Sequence, residues 1–299
     1  MFRRAICTLA VVVSLAVPAA VRAQENYLDV FTVKVKPEKS ADFQAIAKKI
    51  ADANRRFNGD HFMAIETMYG DSTVISFVST RESYADVDKA NDAFMGALQK
   101  AYGKEAAAKL LQDVNNCSLS QRSELRRRRW DLSRKAPVDA AAYANLIGES
   151  RVLRTTAVHL RPGHVAEFEA LLKDLKSAGE QAANTQPVLV SQVVEGGKGA
   201  TFYITSLRTG LGGFDKNPTA RDILGEEGYK KYLQVNAESV ESTESTLYRF
   251  SPTLSNPPEE ILAVAPDFWR PKALMAAAPK PAAKPKGLEP KPVSEKPKQ

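Results

Sequence analysis

Side chains that form covalent cross-links or grip metals are scarce in this chain of 299 residues. It has two cysteines, Cys7 and Cys117, and three histidines, His61, His159 and His164. Cys7 falls in an N-terminal apolar run, so one cysteine remains and no internal disulfide can staple the fold. Stability must therefore come from packing. The histidines have neither H-x-H nor H-x-x-x-H spacing, so no metal site is expected. There is no G-x-S-x-G motif, no glycine-rich loop opening a helix and no carboxylate pair at catalytic spacing. The glycines of 196–199 join two apolar stretches and read as a hairpin turn. No cofactor is expected from these residues.

A surplus of one charge is also missing where it would matter. The formal charge is +7, from 42 basic and 35 acidic side chains. Three of the basic residues lie in 1–23, and eight basic and five acidic ones lie beyond 255. The stretch between is nearly neutral. A nucleic-acid-binding domain concentrates its basic residues, so nucleic acid is excluded as an expected partner.

Residues 1–23 have the pattern of a secretory signal. Arg3 and Arg4 precede an apolar run at 6–17, and Val21-Arg22-Ala23 forms a small-x-small cleavage site. The run is shorter than the ~20 residues that span a bilayer, so no membrane span is expected. The expected location is the periplasm or the outside of the cell, with the mature chain starting near Gln24. Cys117 is expected to be a small apolar side chain beside the last strand of the first half.

The stretch at 33–50 recurs at 158–175. Val33, Pro37, Phe43 and Ala45 match Val158, Pro162, Phe168 and Ala170 at a constant offset of 125. Later, Gly103, Leu111, Ser123, Leu125 and Arg127 match Gly225, Leu233, Ser245, Leu247 and Arg249 at an offset of 122. A fixed offset through strand, turn and helix marks a duplicated folding unit. In the first copy, 27–36 alternates as a strand with Phe31, Val33 and Val35 on one face. Pro37-Glu38-Lys39 turns the chain, Ser40 is the expected N-cap, and Phe43, Ile46, Ile50 and Ala53 recur at helical spacing. Strands at 61–69 and 73–79 flank a Gly70-Asp71-Ser72 turn. Helices at 82–100 and 104–114 and a strand at 123–130 complete the unit. The second copy repeats this order, with its closing strand at 245–250.

This order, with its strand-Pro-x-x-x-x-x-Phe-helix signature at Pro37/Phe43 and Pro162/Phe168, resembles the dimeric α/β-barrel superfamily. That superfamily has ferredoxin-like units and includes antibiotic-biosynthesis-type monooxygenases, NIPSNAP-like proteins and haem-handling relatives. The resemblance implies an α+β fold: two tandem ferredoxin-like repeats, antiparallel sheets with helices on one face, pairing into one pseudo-dimeric α/β barrel. The expected divisions are a signal at 1–23, a first repeat at 24–135, a linker at 136–150, a second repeat at 151–255 and a tail at 256–299. The linker is expected to be helical or an extended crossover. The tail is rich in Pro, Ala and Lys and is expected to be extended, with Asp267-Phe268-Trp269 docking on the core at its start. Its lysines suit anionic envelope material; as a plain spacer it needs no partner. The protein is expected as a monomer if the repeats pair within the chain, or a homodimer if they pair between chains.

Strand alternation sends Thr32 and Lys34 into the barrel, and His159 takes the place of Lys34 in the second copy. A buried lysine or histidine loses charge by desolvation and becomes a usable base, so Lys34 and His159 are the candidate catalytic residues. They also suit strand ends in solvent. Arg127 and Arg249, matched on the closing strands, are candidates to grip a carboxylate, or to pair with an acid such as Glu66 or Glu124. Tyr203 and Tyr248 are candidates to stack on a ligand, or to pack the core. The resemblance also implies an axial histidine on a helix for haem binding, and none lies clearly inside an expected helix. The leading functional expectation is an exported protein binding a small organic ligand in the barrel cleft. The alternatives are a cofactor-independent monooxygenase acting on an aromatic substrate and a non-catalytic structural envelope protein. If the two helix faces are assigned correctly, Phe43→Ala and Phe168→Ala should each cost about 3–5 kcal/mol in urea unfolding.

Overall fold

A computed structural model describes residues 27–183, 186–215 and 217–270. The first half runs β1 (Tyr27–Val35), α1 (Ser40–Arg56), β2 (Met63–Tyr69), β3 (Val74–Arg81), α2 (Tyr84–Tyr102), α3 (Lys104–Cys117) and β4 (Ser118–Arg128). Next comes α4 (Ala140–Glu149). The second half follows with β5 (Val152–Leu160), α5 (Val165–Gln181), β6 (Leu189–Glu195), β7 (Thr201–Arg208), α6 (Ala220–Ser239) and β8 (Val240–Phe250). Two short helices, α7 (Glu259–Val264) and α8 (Pro266–Trp269), end the described chain.

All eight strands close into one antiparallel barrel in the order β1-β3-β2-β8-β5-β7-β6-β4. The repeats pair within the chain at two seams. At one, β2 meets β8, with Ile65 opposite Phe250 and Thr67 opposite Tyr248. At the other, β4 meets β6, with Arg126 opposite Val193 and Arg128 opposite Ser191. Because every neighbour is antiparallel, β1 and β5 run the same way on opposite walls.

Val33 and Val35 turn outward onto α1, where Phe43 and Ala47 bury them together with Ala64, Ile75 and Leu254. The second half repeats this layer, with Val158 and Leu160 packed on Phe168, Leu172 and Phe202. Cys117 joins the first layer as a buried side chain. Both sequence-matched phenylalanines are thus core residues. The expected Ser40 cap is corrected: Ser40 is the first residue of α1, behind a 3-10 turn at Pro37–Lys39. β4 and β8 start several residues earlier than expected. Their first halves are mostly polar and exposed, so no apolar alternation marks them.

The linker forms α4, capped by Asp139, whose Oδ1 accepts from the Ala142 amide at 2.7 Å. α4, α7 and α8 seal one end of the barrel. Ala144, Ile147, Ile261, Leu262 and Trp269 share a core with the inward side chains Met63, Ile65, Leu153, Leu189, Leu207 and Phe250. The expected tail therefore begins too early at 256. Phe62 and Asn256 exchange two backbone hydrogen bonds of 2.9 and 2.8 Å. The Trp269 indole donates to the Gly148 carbonyl at 3.1 Å and packs edge-on against Phe250. A short apolar period, Ile261-Leu262 then Phe268-Trp269, is what holds the segment, so the docking expected at Asp267-Phe268-Trp269 is found and extends back through Ile261 and Leu262. The expected signal at 1–23 and the rest of the expected tail lie outside the described residues. No helix among the described residues is long and apolar enough to cross a membrane. Trp269→Ala should destabilise the protein by about 3–5 kcal/mol in urea unfolding, because it opens the sealed end.

Candidate functional site

The six residues singled out from sequence do not form one site. Lys34 sits at the unsealed mouth of the barrel, about half exposed, and pairs with Asp71 at 2.8 Å. Bonds from Lys34 and Thr73 hold the Asp71 carboxyl down at about 2. Lys34 is therefore a half-exposed, ion-paired side chain, without the burial that the catalytic expectation required. His159 lies across the same mouth on the opposite wall, with Nδ1 3.0 Å from the Thr201 hydroxyl. Thr201 itself donates to the Lys198 carbonyl. Arg249 donates to Glu66 at 3.0 Å, and Gln44 donates to the same carboxylate at 2.8 Å. The ion pair spans the β2–β8 seam beside a second, polar pocket of about 350 Å³. Arg127 lies in the ladders opposite Tyr27 and Gln192, on the face turned away from the lumen.

Tyr203 and Tyr248 do face the lumen. Tyr203 donates to Glu124 at 3.0 Å, and the Arg126 guanidinium sits 3.4 Å above its ring. Glu124, buried, also binds Arg122 and Arg126. Tyr248 packs against the sealed-end core. Burial raises both phenol pKa values. This satisfied network occupies the lumen where the sequence reading placed a ligand cleft.

A pocket of about 350 Å³ lies instead outside the barrel, between the outer face of the first-half sheet and α1, α2 and α3. Its walls carry Phe31, Phe43, Phe62, Phe77 and Phe94. Phe31 stacks on Phe77, which meets Phe62 edge-on. Such a volume and such walls are typical of a small-molecule site. α2 supplies Asn91 and Phe94. The second half has no cover of equal length, because only a 3-10 turn and the first turn of α6 stand between β7 and the Gly225 break.

One end of the pocket is charged. Arg81, 6% exposed, donates to both oxygens of Asp60 at 2.9 and 2.6 Å and reaches Asp29 at 3.3 Å. Its Nε is buried without a hydrogen-bond partner. Asp60 is set by the turn that ends α1. Asn58 adopts a left-handed φ of 52°. A Cβ on Gly59 would stand 2.1 Å from the Asn54 side chain. Only glycine fits there, and Asn54 then accepts from the Asp60 amide at 2.9 Å. Burial raises the Asp60 pKa despite the Arg81 pair. Asp60 is thus a carboxylate of increased basicity at the edge of an apolar pocket.

The sequence reading missed this trio. The signals were present: Asp29 interrupts the apolar face Phe31-Val33-Val35, and Arg81 ends the matching face Ile75-Phe77-Ser79. The pocket walls include no histidine, cysteine or tyrosine to ligate a haem iron. Among the described residues no three metal-ligating side chains cluster.

No family model matches the chain, and no curated protein matches it. Solved structures do. An anthrone oxidase-like protein is 15% identical with a TM-score of 0.50, over 77% of this chain and 92% of that one. The chain has the dimeric α/β-barrel fold. A candidate monooxygenase from Fusobacterium nucleatum is 10% identical with a TM-score of 0.48, over 76% and 93%. A chlorite dismutase from Candidatus Nitrospira defluvii, solved with imidazole, is 10% identical with a TM-score of 0.44, over 80% and 94%. In this α/β barrel the eight strands of both repeats belong to one chain.

Arg81→Met leaves the buried Asp60 carboxylate unpaired and should cost about 3–5 kcal/mol near neutral pH. Its carboxyl pKa, already raised, should rise further in the variant. Its charge then opposes folding above that pKa and ceases to do so as pH falls through it. Urea unfolding of both proteins across pH 4–7 should show the deficit shrinking with acid; a constant deficit would detach Asp60 from the effect.

Proposed function

We propose that the protein is exported and binds a small, largely apolar molecule of aromatic size in the pocket between its first sheet and α1–α3. The observation that carries this reading is the pocket itself: five phenylalanines around a space of about 350 Å³, with a buried Arg81–Asp60 pair at one end. Apolar walls supply affinity, and a few fixed polar groups orient the ligand. The signal pattern at 1–23 supports export. The site is moved from the barrel cleft to the outer face of the sheet. A purely structural envelope role does not call for such a pocket.

The Asp60 carboxylate at the edge of the phenylalanine-walled pocket favours a second reading, a cofactor-independent monooxygenase. Asp60, in place of Lys34 or His159, would take a proton from an activated aromatic substrate, with dioxygen as the oxidant. The fold shared with an anthrone oxidase-like protein is compatible with this chemistry and does not establish it.

Native mass spectrometry of the protein expressed from its full sequence and recovered from a periplasmic extract tests export and binding together. The expected chain mass starts at Gln24 and carries a bound small molecule, which Asn91→Trp at the pocket mouth removes. A chain retaining 1–23 would refute export; bound mass unaffected by Asn91→Trp would refute the pocket. For the enzyme reading, oxygen uptake with anthrone should fall about 10²-fold or more in Asp60→Asn. Equal uptake by both proteins would leave binding alone.

A further inference from the structure

The charged end of the first-half pocket has a counterpart in the second half, and its chemistry is inverted. In the ladders Tyr27 stands opposite Arg81 and Val152 opposite Arg208, so Arg208 is the counterpart of Arg81. The offset of 125 through β1 and β5 makes Arg154 the counterpart of Asp29. Where the first half sets an arginine between two acids, the second sets arginine beside arginine.

Arg208 is buried, like Arg81, but binds no carboxylate among the described residues. Its Nε donates to the Gly213 carbonyl at 3.0 Å, Nη1 to the Leu207 carbonyl at 2.6 Å and Nη2 to the Asn217 side chain at 2.7 Å. A guanidinium has about five N–H donors, so capacity is left over. Arg154, exposed on the same outer face of the sheet, shares the Phe214 ring with Arg208, each 5.2 Å from its centre. Arg134 enters from beside β6, where it bridges Val188. Its side chain lies so close along α5 that a Cβ on Gly179 would stand 2.2 Å from it. The Arg134 Nε is buried without a hydrogen-bond partner, and Nη2 reaches only the Gln186 carbonyl at 3.4 Å. Burial lowers the Arg208 pKa, and the charges of Arg154 and Arg134 add to that. Among the described residues none of the three arginines forms an ion pair, and neighbouring Asp215 pairs with none of them. Grouped cations with buried, unused donors are costly without a counter-charge.

The geometry points to an oxyanion site formed by Arg134, Arg154 and Arg208, which takes the carboxylate or phosphate group of a small molecule. Guanidinium forks match the planar or trigonal oxygens of such groups, and Phe214 offers an apolar wall beside them. The site lies on the other half from the phenylalanine pocket, so it stands whether or not that pocket binds a ligand.

Isothermal titration calorimetry of the protein with inorganic phosphate and with acetate, against chloride at matched ionic strength, tests it. Saturable one-site binding is expected for at least one of the two oxyanions. Binding of phosphate alone or acetate alone assigns the group. Arg154→Gln, at an exposed side chain with no side-chain hydrogen bond among the described residues, should weaken binding about tenfold or more. Arg134→Met should weaken it as well, while Asn91→Trp should leave it unchanged. Absence of saturable binding, or binding that both arginine variants leave unchanged, overturns the assignment.

Discussion

The fold depends on one constraint: an antiparallel sheet covered by helices on one face has a second face and two edges still to bury. Each repeat is such a sheet. The β2–β8 and β4–β6 seams join the edges, and closure turns the uncovered faces inward together. A barrel has no free edge, so the two repeats protect each other. Doing this within one chain removes the concentration dependence of pairing between separate chains. It also frees the two halves to diverge, because a change in one need not be repeated in the other.

That divergence shapes the chemistry. The lumen is divided along its axis. One end is filled by apolar side chains and sealed by α4, α7 and α8. Further in, Glu124 is held by Arg122, Arg126 and Tyr203. A buried carboxylate that is paired and hydrogen-bonded on this scale stabilises one arrangement, and it leaves few donors free to serve a ligand. Open space lies instead between sheet and helices, where the long α2 of the first half stands over the phenylalanine walls. The shorter cover of the second half leaves Arg154 exposed at the equivalent place.

The same strand positions thus carry two different electrostatic settings. In one half Arg81 pairs with both Asp60 and Asp29, which makes a compact charged end to an apolar pocket. In the other, Arg208 meets Arg154 and Arg134 without an acid. The strand register is common to both, so within the strands the contrast comes from side-chain substitution at matched positions, Asp29 against Arg154 above all.

The sequence by itself determined the recurrence of one residue pattern at fixed offsets, the order of strands and helices, the core faces at Phe43 and Phe168, and the nearly neutral core. These follow from local periodicity and from a comparison of two copies in one chain, and neither needs knowledge of long-range contacts. Only the tertiary structure decided that the halves close on each other and that Lys34 and His159 stand on opposite walls. It alone brought Asp29, Asp60 and Arg81, from three separate elements, onto one pocket. The reason is physical. A strand's alternation says which side chains share a face, but the chemistry of a site depends on which elements meet that face and on what water they exclude. Asp60 follows a turn that reads only as a helix end until Asn54, Gly59 and Arg81 are seen around it.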